Sequence, residues 1–152
     1  MTFNSLPDTL AHIHRVGDFL RAMAADLERR AEYHDRSKMY EPEKSAYDRA
    51  VPEMRKHRYG SPESKAAIAE LGPALEHHFA HNSHHPEHYP EGVAGMDLLD
   101  VVEMLCDWRA AAERPPGDGT VLLDVSQKRF GLEPQLVAIL ANTLARFPWE
   151  SL

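Results

Sequence analysis

The sequence predicts an all-α protein that folds as a single helical bundle of five or more helices. Apolar residues recur at spacings of three and four over residues 5–33, 61–82, 97–114 and 132–147, which is typical of amphipathic helices. Elsewhere, only residues 121–125 form an apolar run that suits a short strand. The 152 residues, 43% of them hydrophobic, suffice for one core, so we assign residues 1–152 to one domain.

Local signals mark the ends of these helices. Residues 41–63 contain three prolines and a glycine, so we expect only short helical pieces there. Ser61 and Pro62 suit the N-cap and first position of the helix over 61–82, and Asp97 suits the N-cap of the next one. The stretch PPGDG at 115–119 should end the helix that Asp97 begins.

Charge and composition exclude several classes of partner. A formal charge of −7 disfavours a long nucleic acid, because phosphate backbones are normally bound by a basic stripe. No run of 18 apolar residues is present and the N-terminus lacks the layout of a signal peptide, so we expect a cytoplasmic protein with no membrane partner. The single cysteine, Cys106, lies among apolar residues and is expected to be a buried, inert thiol.

Six of the ten histidines lie in the stretch HHFAHNSHHPEHY, residues 77–89. Histidine is the commonest protein metal ligand, although a surface histidine patch is the alternative here. His78 continues the apolar stripe of Leu71 and Leu75 and should point inward, whereas His77 should point outward. The helix should stop near Asn82, because Pro86 disfavours the α conformation of the residue before it. Spacing therefore assigns no face to the histidines beyond this point, namely His84, His85 and His88.

Three further positions are candidate metal ligands. His12 shares a helix face with Val16 and Phe19 and should point inward, and His34 is followed directly by Asp35. Asp107 lies beside apolar residues on a predicted inward helix, where a carboxylate needs a partner or a metal. A straight helix would separate His12 from His34 by roughly 33 Å at about 1.5 Å per residue, so a shared site requires a turn, for which residues 24–26 are the candidate.

The order of these residues resembles the H…HD…D signature of HD-domain metalloproteins, which bind metal within a helical bundle. HIHRV, HDRSK and MLCDWRAA supply the histidine, the His-Asp pair and the distant aspartate. The stretch HHPEHYPEG loosely resembles an element of the HD-GYP branch, but the Gly-Tyr-Pro of that branch is lacking. A more extensive resemblance is to a bacterial and phage family of undefined function, with an HDxSK motif and the pattern H-x-x-x-N-x-H-H-P-E-H at residues 78–88.

The HD-like resemblance implies a metal-dependent phosphohydrolase that acts on a small nucleotide or another phosphorylated metabolite. The expected cofactor is one or two divalent ions of Mn, Fe, Co, Ni or Zn, since imidazole and carboxylate together suit such metals. The predicted metal ligands are His12, His34, Asp35, His78, His84, His85 and Asp107.

Other residues are assigned to substrate and catalysis. Lys38 would hold a phosphate oxygen, and Glu87 would act as general base or orient a ligand. Further substrate contacts are assigned to Asn82, His88 and Arg129. The alternatives are an HD-type di-iron oxygenase and a non-catalytic metal-binding module, and the sequence leaves open whether the chain forms a homo-oligomer.

Overall fold

The computed structural model describes residues 3–57, 61–114 and 117–149. Within these ranges the chain is helical and contains no strand, which confirms the all-α class. The helices are α1 (Leu6–Tyr33), α2 (Glu43–Met54), α3 (Pro62–Ala69), α4 (Pro73–His81), α5 (Leu98–Glu113), α6 (Leu123–Phe130) and α7 (Pro134–Arg146). Short 3-10 turns span Arg36–Met39, Pro86–His88 and Gly92–Gly95. The chain forms two compact units, of which the first ends at His34 and the second begins at Asp35.

The first unit consists of α1, a continuous helix of 28 residues. None of its residues is buried, and the side chains of Val16, Phe19 and Met23 on the predicted inward face are exposed. The predicted turn at residues 24–26 is wrong. Because the helix is unbroken, His12 and His34 lie about 33 Å apart along its axis.

The second unit has two apolar clusters. Ala46, Ala50, Leu71 and Ala74 join α2 to the start of α4, with Leu75 packed against them. A second cluster joins α5 to α6 and α7 through three buried leucines, Leu105, Leu132 and Leu140. Small residues dominate the first cluster, so α2 and α4 approach closely, and the candidate site lies at this contact.

Three local predictions need correction. The helix predicted over 61–82 is two helices, because Gly72 adopts a positive φ of 50° and Pro73 begins α4. Residues 121–125 form no strand, since α6 begins at Leu123. Cys106 is exposed, although partial desolvation and the carboxylates of Glu103 and Asp107 raise the pKa of its thiol.

Several predicted helix ends are confirmed. The Ser61 side chain accepts a hydrogen bond from the Ser64 backbone at 3.1 Å. The Asp97 side chain caps α5 by accepting hydrogen bonds from the backbone N–H groups of Leu99 and Asp100. In turn, the Asp100 carboxylate accepts from the backbone N–H of Asp97. The prolines of PPGDG lie outside the described residues, but α5 ends at Glu113 just before them.

Candidate metal centre

Asp35 begins the second unit in an unusual backbone conformation. Its φ of 55° places it in the left-handed region, which few residues other than glycine adopt. The residue caps the 3-10 turn Arg36–Met39. Non-glycine residues held in this conformation are concentrated at functional sites, which makes Asp35 a candidate by backbone geometry as well as by sequence.

The loop between α4 and α5 carries three histidines, His84, His85 and His88, and hydrogen bonds hold it in place. As predicted from Pro86, the helix stops at His81 and His85 is extended, with φ −96° and ψ 129°. The buried carboxylate of Asp100 accepts hydrogen bonds from Ser83 Oγ and Tyr89 Oη, each at 2.7 Å. Both ends of the loop are therefore tied to the first turn of α5, which fixes His84 and His85 between them.

Four donor atoms converge where this loop meets α4 and Asp35. His78 and His84 are buried, and one atom from each of Asp35, His78, His84 and His85 lies within 4.8 Å of all the others. His78 Nε2 is 2.8 Å from His85 Nε2 and 3.3 Å from Asp35 Oδ1, and His84 Nε2 is 3.6 Å from the same oxygen. Ligand atoms about 2.0–2.2 Å from a tetrahedral ion would be roughly 3.3 Å apart. The donor atoms thus already have the spacing of a coordination shell.

Two carboxylates, the buried Glu43 and the partly buried Glu103, hold the other nitrogens of two of these rings. Glu43 Oε2 is 2.9 Å from His78 Nδ1, and Glu103 Oε1 is 3.1 Å from His84 Nδ1. An ionised carboxylate accepts a hydrogen bond from Nδ1–H, so each ring keeps its Nε2 lone pair toward the cluster. Metal-ligating histidines characteristically donate to a carboxylate in this way, and the arrangement at His78 and His84 matches that pattern.

Glu43 also binds a third histidine. Its Oε1 is 2.7 Å from His77 Nδ1, and Ser37 Oγ donates to its Oε2 at 3.0 Å. The prediction that His77 points outward is therefore only half right, since the ring is partly exposed but its Nδ1 is anchored to a fully buried carboxylate. Burial raises the pKa of Glu43, but the hydrogen bonds from His77, Ser37 and His78 together outweigh burial and leave the pKa below its usual value.

Burial keeps His78 and His85 neutral by lowering the pKa values of their rings. Desolvation, followed by the positive charge of Lys38, lowers the pKa of His78. Desolvation and the neighbouring rings of His84 and His78 lower the pKa of His85 to about 3. Neutral imidazole is the form that binds metal, so these rings compete little with protons near neutral pH.

Lys38 and Asp107 flank the cluster. The Lys38 ammonium pairs with Asp35 Oδ2, while Asp35 Oδ1 faces the histidines, so the two carboxylate oxygens have different partners. A carboxylate oxygen of Asp107 lies within 4.8 Å of one of Asp35. The predicted ligands Asp35, His78, His84, His85 and Asp107 are therefore neighbours, with Lys38 beside them.

A cleft of about 300 Å³ opens beside the cluster. Asp35, His78 and His85 line it on one side, and Leu71 and Leu75 belong to its apolar wall. Its polar groups include two that the sequence did not indicate, the Tyr47 hydroxyl and the Arg114 guanidinium. Burial, then the carboxylates of Asp35 and Glu43, raises the pKa of Tyr47, so its phenol stays protonated.

Other predicted site residues lie elsewhere. His12 is exposed on α1 and cannot share an ion with His34, because the unbroken helix holds them about 33 Å apart. His34 itself is the C-cap of α1 in the first unit, and its role as a ligand stays a prediction. Glu87 and Arg129 pair with each other at 2.7 Å, and neither lines the cleft. The roles predicted for Glu87 as general base and Arg129 as substrate contact stay predictions, and the two residues pair with each other at the surface.

Asn82 and His88 stabilise the loop instead of facing the cleft. The buried Asn82 amide nitrogen donates to the His78 carbonyl at 2.7 Å and to Ser37 Oγ at 2.8 Å. His88 Nδ1 donates to the Phe79 carbonyl at 2.8 Å. These bonds give both residues a positioning role, and their predicted substrate contacts stay predictions.

Sequence reasoning missed the carboxylates that orient the rings. Glu43 begins α2 directly after Pro42, in a segment expected to hold only short helical pieces, and it resembles an ordinary solvated first-turn acid. Glu103 lies one position before Met104 on α5, and its helical spacing indicated no partner. Both acids could have been found only as residues on a helix face that packs against a histidine. Recognising such a face requires knowledge of the tertiary contact.

Fold and site together define an all-α protein with a buried cluster of histidine and aspartate donors. Residues 1–146 match the model of a family of unknown function, DUF5662, and the chain belongs to this family. No curated protein and no solved structure matches the chain. Among the described residues, no helix has both the length and the apolar character needed to cross a membrane.

Proposed function

We propose that the protein is a metal-dependent phosphohydrolase that acts on a small nucleotide or another phosphorylated metabolite. The observation that carries the proposal is the convergence of one donor atom each from His78, His84, His85 and Asp35, all within 4.8 Å of one another. Three imidazoles and a carboxylate suit Mn, Fe, Co, Ni or Zn, and an ion that expands from four to five ligands would take substrate or water as the fifth. When bound, such an ion supplies an activated water and neutralises charge on a phosphoryl group.

The donor set fits a metal better than it fits a structural polar network. His78 carries its proton on Nδ1 toward Glu43, so its Nε2 presents a lone pair to His85 Nε2 at 2.8 Å. Histidines with lowered pKa values are neutral near pH 7, and a cation between the lone pairs would use both of them. Asp35 contributes the negative charge that a divalent ion requires.

The cleft supplies the groups that a phosphorylated substrate needs. Lys38 lies at the cluster end, paired with Asp35, and would turn toward a phosphoryl oxygen when a cation occupies the donor cluster. Arg114 lines the same cleft, so two cations accompany the apolar wall formed in part by Leu71 and Leu75. Such a cleft suits a ligand with a charged phosphate group and an apolar part, such as a nucleotide or a similar metabolite.

The proposal includes a second ion that would share Asp35. Asp107 lies beside Asp35, and His34 precedes Asp35 in the chain. A carboxylate that bridges two ions and a set of residues in the order His-Asp…Asp would make the bundle HD-domain-like in function. His12 takes no part in these sets, because it is exposed on α1 about 33 Å from His34 along the helix axis.

Metal analysis of protein purified without a histidine tag tests the proposal. Wild-type protein should hold at least one divalent transition metal per chain, and Asp35→Ala should lose most of it, while Asp48→Ala, an exposed aspartate on α2, should retain it. Phosphate release from a panel of nucleotides should depend on the metal and fall with Asp35→Ala. Full metal content in Asp35→Ala would overturn the site, and a metal-loaded protein that consumes oxygen but releases no phosphate would overturn the hydrolase.

A further inference from the structure

Within its own unit, which consists of a single helix, the apolar face of α1 has no partner. Leu6, Leu10, Ile13 and Leu20 are 57%, 45%, 55% and 62% exposed, although they lie on one stripe of the helix. An isolated helix in water is only marginally stable, and helices in proteins gain most of their stability from packing an amphipathic face. A 28-residue helix with no buried residue therefore needs a cover for this stripe.

The stripe has the spacing of a helix-pairing seam. From Leu6 onward, consecutive seam residues are separated alternately by four and three positions, and this spacing continues over three heptads. It is the a/d pattern of a coiled coil, with Leu6 at a d position. The d positions carry large side chains and the later a positions carry small ones. In full, the seam is Leu6, Leu10, Ile13, Gly17, Leu20, Ala24 and Leu27.

Gly17 is a second, independent indication of a close partner. Glycine within a helix costs about 1 kcal/mol relative to alanine. A Cβ at this position would meet only the guanidinium end of the Arg21 side chain, at 3.3 Å, so the protein's own packing gives no reason for glycine. A large side chain from another helix would use the space that the missing Cβ leaves.

We propose that α1 forms an antiparallel pair with α1 of a second copy of this chain. In an antiparallel pair each a position faces a d position of the partner, so Gly17 meets Leu20 of the other copy and Ala24 meets its Ile13. A parallel pair would instead place Gly17 against Gly17 and Ala24 against Ala24, and would leave voids at both layers.

The flanking positions favour the same orientation. Val16 and Met23, which are 39% and 41% exposed, occupy g positions beside the seam. In an antiparallel pair the g positions of the two helices meet, so these apolar side chains cover each other. A parallel pair would bring them against the e positions of the partner, which carry Arg21 and Glu28.

The area suffices for a stable interface. Six apolar side chains of the seam and its flanks, which are 39–62% exposed, offer on the order of 600 Å² per copy, and therefore roughly 1,200 Å² for the pair: Leu6, Leu10, Ile13, Val16, Leu20 and Met23. This value reaches the lower end of the range for specific protein–protein interfaces. The pairing that aligns Leu10 with Leu27 overlaps nearly the whole of α1, which makes it the register of greatest burial.

Sedimentation equilibrium of the full chain tests the pairing, and it does so independently of any metal. Wild-type protein should have the mass of two chains, and Leu20→Glu the mass of one. Leu98→Glu, a matched change at a leucine that is 65% exposed on α5, should stay a dimer. A monomeric wild type, or a dimeric Leu20→Glu, would overturn the proposal.

Cross-linking decides the orientation, even if Leu20→Glu fails to fold. In a Cys106→Ser background, a mixture of the Leu10→Cys and Leu27→Cys chains should form a disulfide-linked heterodimer on mild oxidation, whereas neither chain should cross-link to itself. Self-cross-linking of each variant would show a parallel pair. No cross-link in the mixture would overturn the proposed register.

Discussion

Glu43 offers the sharpest test of how the candidate centre is built. The residue is fully buried, and its two oxygens are 2.7 Å from His77 Nδ1 and 2.9 Å from His78 Nδ1. In Glu43→Gln, one oxygen becomes an amide nitrogen that donates, so only one of the two rings can keep its proton on Nδ1. The other ring must move its proton to Nε2. Otherwise its Nδ1–H faces the amide N–H of the glutamine, and two buried donors oppose each other.

The expected loss follows from this geometry. If the shifted ring is His78, its Nε2 carries a proton and no longer presents a lone pair to the cluster. If the amide oxygen accepts from His78, the amide nitrogen faces His77, and that ring must change its protonated nitrogen instead. In both cases the negative charge of the Glu43 carboxylate is lost. Loss of a carboxylate partner of a ligand histidine typically weakens metal affinity by about 10–100-fold, or about 1.4–2.7 kcal/mol.

A chelator-competition titration measures this affinity directly. Glu41→Gln is the matched control, because Glu41 is exposed and its carboxylate accepts only a local bond from Ser45 at 2.8 Å. Urea unfolding in chelator, run in parallel, shows whether the variant remains folded. If folded Glu43→Gln bound metal within twofold of wild type, Glu43 would be a structural residue and the assignment of the His78 proton would be wrong.

Two further predictions concern substrate binding and pH. Lys38→Met should raise KM for a phosphorylated substrate about tenfold or more, with metal content unchanged. The control Glu87→Gln changes the surface pair with Arg129 and should leave KM as it is. Equal KM values for Lys38→Met and wild type would remove Lys38 from the substrate site. Metal-free protein should lose stability as the pH falls from about 6.5 toward 3, because the lowered pKa values of His78 and His85 mean that the unfolded chain binds protons there that the folded chain does not. Each such proton contributes a slope of about 1.4 kcal/mol per pH unit, so urea midpoints that do not change between pH 7 and 5 would contradict the assignment of neutral, buried rings.

The helices could be predicted from the sequence because their signals are local. Apolar spacing and caps such as Ser61 and Asp97 act within one or two turns, and the structure confirms them. The same local reasoning placed His78 inward on the stripe of Leu71 and Leu75. Local reasoning does not distinguish a helix face that is buried from one that is merely apolar. For this reason the sequence predicts an inward His12, although α1 has no buried residue.

The composition of the site was decided by tertiary structure. Glu43 lies 35 positions before His78, and Glu103 lies 19 positions after His84, so no periodicity relates the carboxylates to the rings that they orient. Whether an acid is solvated or buried against an imidazole depends on which helices pack together, and that depends on the sum of many apolar contacts. The sequence by itself therefore determined the helical class and the histidine and aspartate candidates, whereas only the packing of α2, α4 and the loop before α5 brought Asp35, His78, His84 and His85 to one point.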